Sequence, residues 1–209
     1  MAKVDQKTIL IIDDSPEVIT ILRDVLKVDY RVLAATSGDQ GLVIALREIP
    51  DLILLDLVMP DTSGFNVRKK LREYAATSEI PVIFVTSRNS PEDEALGFEM
   101  GCVDYIAKPV VPETVRTRVA NQIRLADQNL HFRELLAARQ DELDETETAA
   151  IQMLSMAGHY KDESTASHMQ RMAAYSAALA EGLGWPAGAV RLLDKAAPLH
   201  DVGKIGIPD

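Results

Sequence analysis

The chain has 209 residues, 47% of them hydrophobic, which suits one large domain or two small ones with real cores. It carries 22 Lys and Arg against 32 Asp and Glu, a net charge of −10 with no basic block, and this argues against a nucleic-acid or anionic-membrane surface. Cys102 is the only cysteine, no signal-peptide core follows Met1–Lys7, and no apolar run approaches the ~20 residues of a bilayer span, so a soluble cytoplasmic protein without disulfides is expected.

From Thr8 to about Leu125, short apolar runs alternate with amphipathic stretches. The runs are Thr8–Ile12, Tyr30–Ala35, Leu52–Leu55, Val82–Val85 and Val103–Ala107. They are β-branched and apolar on successive residues, as parallel strands buried on both faces require. Helix patterns fill the gaps. One is Pro16–Leu26, with Val18, Ile21, Leu22, Val25 and Leu26 along one side; another is Gln40–Glu48, stopped by Pro50. Others begin near Gly64, Pro91 and Pro112, and Pro16 and Pro112 sit where helices start well. This alternation predicts a doubly wound α/β domain with five strands and five helices. The flavodoxin-like order 2-1-3-4-5 sets the first and third strands side by side, with the ligand crevice at their carboxyl ends.

The fifth predicted helix does not stop where a globular helix would. From Glu113 to about Ala157 there is no Pro and no Gly. Val115, Val119 and Ile123 should face the sheet. Beyond them Phe132, Leu136, Leu143 and Ala150 follow a heptad-like spacing, interrupted by Arg139 and Thr146. The stretch reads either as a coiled-coil seam for a homodimer or as a solvated linker helix with one apolar side. Gly158 is expected to break it. Ser164–Ala180 and Ala187–Asp201 then read as helices of an all-α region of about fifty residues, small enough to be marginal alone.

Chemistry concentrates at the ends of the strand runs. Asp13 and Asp14 follow the first, Asp56 the third, Thr86 the fourth and Lys108 the fifth. A lone Asp after a strand is usually a helix cap. Five such residues converging on one sheet edge make a site for a divalent metal and a phosphoryl group. A carboxylate accepts a phosphoryl group only when its approach to the charged donor is neutralised, and a hard cation such as Mg²⁺ does this. Lys108 supplies a point positive charge and Thr86 a hydroxyl donor. No general base is needed, because ionised Asp56 is already the nucleophile.

Ile11-Ile12-Asp13-Asp14-Ser15, Leu55-Asp56-Leu57-Val58-Met59-Pro60, Gly64, Thr86 and Lys108-Pro109 together resemble the receiver domain of two-component response regulators, over about Lys7 to Leu125. The resemblance implies phosphorylation of Asp56 by a cognate histidine kinase. It implies Mg²⁺ held by Asp14, Asp56 and the Val58 carbonyl, with Asp13 acting through a metal-bound water. It also implies a cis Lys108–Pro109 peptide and a switch. Thr86 turns toward the phosphoryl group, Tyr105 rotates into the vacated space, and the fifth helix carries the change into the linker.

A second constellation closes the chain. In His200-Asp201-Val202-Gly203-Lys204, imidazole and carboxylate can share one or two metal ions, and Lys204 can meet a phosphodiester oxygen. His168 and Arg171 share a helix face at i, i+3; His168 can join the metal shell, and Arg171 can support it or bind phosphate. For His168 the ordinary alternative is a surface or core histidine. Leu199 to Asp209 resembles the start of an HD-GYP domain, a metal-dependent cyclic di-GMP phosphodiesterase, and Thr165–Arg171 matches the upstream helix more loosely. The resemblance implies Fe or Mn at the HD motif. A glutamate found in some members is Ser164 here. The later histidines, the last aspartate and the Gly-Tyr-Pro segment have no counterpart. The expected organisation is therefore a receiver over 1–125, a linker helix over 126–157 and a truncated HD-GYP region over 158–209. The expected function is a phosphorelay regulator whose output is inactive in this chain and active in a longer parent. The rivals are a receiver-based adaptor that binds a partner protein, and a phosphodiesterase completed by missing sequence.

Overall fold

The structure is a computed structural model that describes residues 6–87, 101–159, 166–200 and 202–203, with the side chains of 158–159 and 166–170 outside that description. The chain divides into two compact units, Met1–His131 and Phe132–Asp209.

In the first unit, β1 (Thr8–Ile12), β2 (Arg31–Ala35), β3 (Leu52–Asp56), β4 (Val82–Thr86) and β5 (Asp104–Ala107) form one parallel sheet in the order β2-β1-β3-β4-β5. This is the flavodoxin-like order expected from the sequence. Every residue of β1, β3 and β4 is buried, which is why these strands read as unbroken apolar runs. Alternate residues serve opposite faces. Leu10, Ile12, Ile53, Leu55 and Phe84 pack on one side with Val67 and Leu71. Ile9, Ile11, Leu54, Ile83 and Val85 pack on the other with Leu22, Val115, Val119 and Ile123.

The helices obey local rules with small departures from the sequence reading. α1 (Pro16–Leu26) starts on Pro16, and the Ser15 hydroxyl accepts the Val18 N–H. Its buried residues are Ile19, Leu22, Val25 and Leu26, whereas Ile21 is exposed, so the apolar stripe is rotated from the one expected. α2 (Gly38–Glu48) starts two residues before Gln40 because Ser37 caps it through the Gln40 N–H. α3 covers Gly64–Glu73. The helix expected near Pro91 falls largely outside the described residues.

The long helix runs Pro112–His159. It ends within one residue of Gly158, where the break was expected. In the second unit the helices are Ala166–Gly182 and Ala187–Ala196, the latter followed by a 3₁₀ turn over Ala197–Leu199. Pro198 explains the early stop of a helix expected to reach Asp201, since proline inside a helix loses a donor and clashes with the preceding turn. Among the described residues no helix is long and apolar enough to cross a membrane.

Candidate phosphoryl-transfer and metal site

Strand register builds the site. Ile12 lies opposite Leu55, so Asp13 and Asp56 leave neighbouring strands at the same level. Asp56 is level with Val85, and Thr86 with Ala107, which brings Lys108 to the same edge. One carboxylate oxygen from each of Asp13, Asp14 and Asp56 lies within 4.8 Å of the others. Asp13 and Asp56 are buried and Asp14 is exposed, so the cluster opens to water on one side.

Each carboxylate is oriented by its local chain. Asp13 Oδ1 accepts the Ser15 N–H at 2.9 Å, a turn that also sets up the cap of α1. Asp56 Oδ1 accepts the Val58 N–H at 3.1 Å. Lys108 Nζ donates to Asp56 Oδ2 at 2.6 Å and lies 2.8 Å from Asp13 Oδ2. The second contact is ionic and lacks the alignment of a hydrogen bond, so Asp13 Oδ2 stays buried without a hydrogen-bonded partner. Lys108 follows β5, its N–H bonds the Thr86 carbonyl at 2.9 Å, and the Lys108–Pro109 peptide is cis.

Burial raises the Asp13 carboxyl above its ordinary range; Lys108 and the Ser15 N–H oppose this, and the charge of Asp56 adds to it. Burial alone would lower the Lys108 ammonium. The close contacts and charges of Asp13 and Asp56 outweigh that and raise it, so Lys108 stays charged at neutral pH.

The residues present fit a hard cation. Three carboxylates stand close together, one buried oxygen lacks a hydrogen bond, and the exposed side leaves room for the waters that Mg²⁺ retains. Gly64 holds the wall. A Cβ there would sit 2.3 Å from the Asp56 carbonyl oxygen and 2.9 Å from Leu57 Cα, a clash with backbone rather than with a movable side chain. The Gly64 N–H bonds the Leu57 carbonyl, tying the start of α3 to the loop after Asp56.

Thr86 is buried beside this edge, and Tyr105 is buried too. The Tyr105 ring leans on Phe84 at 5.5 Å between centroids, and Phe84 meets Phe65 edge-on at 5.4 Å. The sequence reading gave Arg68 no role. It is buried, and it donates to the carbonyls of Ile80 and Gly101, joining α3 to the segments before β4 and β5. The available signal was its place with Gly64, Val67 and Leu71 on the apolar face of α3.

The expected tail residues are only partly placed. His168 belongs to the helix Ala166–Gly182, but its side chain, Asp201 and Lys204 lie outside the described residues. Arg171 is exposed. His200 is exposed, with Nδ1 2.9 Å from the Ala197 carbonyl.

The comparison with known families agrees with this geometry. The response regulator receiver domain matches residues 9–120. The chain belongs to the response regulator receiver family. The HD domain matches residues 165–209, so a receiver is fused to an HD-superfamily segment. A probable cyclic di-GMP phosphodiesterase of Vibrio cholerae is 38% identical over 224 residues, covering 100% of this chain and 51% of that protein. The cyclic di-GMP phosphodiesterase response regulator RpfG of Xanthomonas campestris is 32% identical over 211 residues, covering 96% of this chain and 56% of that protein. The chain thus spans about half the length of these curated relatives. Among solved structures, the BeF3-activated receiver domain of Klebsiella pneumoniae RstA is 33% identical with a TM-score of 0.52, covering 56% of this chain and 99% of that one.

Proposed function

We propose that this receiver takes a phosphoryl group from the phosphohistidine of a cognate histidine kinase onto Asp56. The observation that carries the reading is the junction of three carboxylates with Lys108 at one sheet edge. An Asp56 oxygen forms the new bond to phosphorus as the P–N bond breaks, and the electron pair returns to the imidazole. Catalysis here is positioning and charge stabilisation. The Val58 N–H fixes one Asp56 oxygen, leaving the other to attack. Lys108, already on that second oxygen, transfers its hydrogen bond to the arriving phosphoryl oxygens.

Asp14, Asp56 and the Val58 carbonyl would hold Mg²⁺, with Asp13 contacting it through water; the ion supplies charge that offsets the carboxylate–phosphate repulsion. Thr86 donates its hydroxyl to the phosphoryl group, and Tyr105 moves into the space it leaves. The long helix Pro112–His159 begins in the receiver and receives this change.

We assign the HD segment to the HD-GYP type and cyclic di-GMP phosphodiester hydrolysis to a longer parent protein, on the strength of the two relatives named for it. His200 and Asp201, with His168, would hold the Fe or Mn of that reaction, and Arg171 and Lys204 would face phosphate. The receiver over 1–125 and the HD region over 158–209 are joined by a linker over 126–157. On it Phe132, Leu136 and Leu143 are exposed at heptad-like spacing and offer a seam to a second copy of this chain, in the cytoplasm.

The deciding experiment is intact-mass spectrometry after incubation with acetyl phosphate and Mg²⁺. The wild-type chain gains one phosphoryl group, chelation by EDTA prevents it, and Asp56→Asn gains none. Normal labelling of Asp56→Asn would overturn the reading.

A further inference from the structure

The long helix is exposed from residue 127 to residue 150, yet Ser155 on it is buried. A hydroxyl within a helix ordinarily bonds its own chain four residues back. Thr146 and Thr148 do so, each at 2.8 Å, to the carbonyls of Glu142 and Asp144. Ser155 does not. Its Oγ donates at 3.0 Å to the carbonyl of Pro198, forty-three positions along the chain. Two turns earlier on the same helix, Glu147 Oε2 lies 2.6 Å from Lys195 Nζ, and Asp144 Oδ1 lies 3.9 Å from it. Asp144, Glu147, Ile151 and Ser155 are spaced three, four and four residues apart, so they form one stripe. Ile151 is half-buried between the polar contacts. The segment they grip, Lys195–Pro198, ends two residues before His200, whose N–H and Nδ1 both address the Ala197 carbonyl within it.

We infer that Ser155 and Glu147 are positioning residues: with Lys195 and the Pro198 carbonyl they form a two-point latch by which the long helix sets the placement of His200. The inference deepens the function proposed above and rests on it, since phosphorylation is what would displace the helix. The two contacts are specific to register. A helix advances about 1.5 Å and turns about 100° per residue, so a slip of one residue carries Ser155 out of hydrogen-bonding range and swings Glu147 off Lys195. The latch therefore has two arrangements, engaged and released, and the helix chooses between them.

Hydrogen–deuterium exchange on the whole 209-residue chain tests this, with Mg²⁺ and with or without beryllofluoride. In wild type, beryllofluoride protects the peptides around Asp56 and changes exchange across residues 195–203 by about fivefold or more. In Ser155→Ala the receiver still responds, and the response at 195–203 falls to background. Lys195→Glu does the same, and the swapped pair Glu147→Lys with Lys195→Glu restores the response. A full response at 195–203 in Ser155→Ala, or no rescue by the swapped pair, overturns the latch. No response at 195–203 in wild type, with the receiver responding, also overturns it. A receiver that ignores beryllofluoride overturns instead the reading on which the latch rests. Should Ser155→Ala lose helicity by circular dichroism, the Lys195→Glu chain and the swapped pair decide the question.

Discussion

The two units hold their candidate sites by opposite means. In the receiver, Asp13 and Asp56 extend from strands with every residue buried, and large side chains such as Phe84, Leu54 and Ile12 are wholly enclosed. In the second unit the buried side chains, among the described residues, are Ala173, Ala180 and Ser155. Tyr175, Leu179, Leu183 and Leu192 remain exposed there, and the helix Ala187–Ala196 buries nothing fully. At roughly 25 cal/mol per Å² of apolar area, a few alanines contribute far less than a packed sheet. The receiver can therefore pin charged groups in place against their desolvation. The HD segment relies on single polar contacts, Ser155 to Pro198 and Lys195 to Glu147, where small displacements count.

This contrast can be broken by mutation. Phe84→Ala, which empties the space between Phe65 and Tyr105, should cost about 3–5 kcal/mol in urea unfolding followed on the receiver. Gly64→Ala should cost about 1–3 kcal/mol by the same measurement, because the new methyl meets backbone, and it should slow labelling of Asp56.

Asp13→Asn goes the other way. The folded state binds the Asp13 proton more tightly than the unfolded state does, so this group's contribution falls as pH rises from the ordinary carboxylate range through its raised value. At neutral pH the ionised carboxylate is a cost. Removing it should raise the metal-free melting temperature of the receiver by about 2–4 °C, with the gain vanishing in acid and shrinking when Mg²⁺ is added. A variant that melts lower at pH 7 would show that the Lys108 pair outweighs burial. The smallest effect belongs to the second unit: Leu179→Ala, at a highly exposed position, should change stability by less than about 0.5 kcal/mol. A loss as large as that of Phe84→Ala would end the comparison.

How much was legible depended on the kind of constraint. Parallel strands buried on both faces must be continuously apolar, so β1, β3 and β4 announced themselves; alternation with helices indicated a doubly wound domain, and the order 2-1-3-4-5 came in as the flavodoxin-like pattern rather than from the alternation itself. Their ends marked Asp13, Asp14, Asp56, Thr86 and Lys108. The buried face of α1 was misjudged, because Ile19 and Ile21 are equally apolar and only packing chooses between them. Pro198 was visible in the sequence, yet the reading carried a helix past it. Arg68 was hidden by its charge: in isolation a lysine- and arginine-rich helix reads as solvated.

Residue types and their order along the chain decided which groups form the receiver's site and on which strands they ride. Tertiary structure alone decided that Lys108 bridges Asp13 and Asp56 and that one Asp13 oxygen is left without a hydrogen bond. It alone turned the Ser155 hydroxyl away from its own helix toward Pro198. The physical reason is the range of the interactions. Burial and turn chemistry act locally and leave periodic traces in the chain, whereas a hydrogen bond between distant residues is set by how whole elements pack and leaves none.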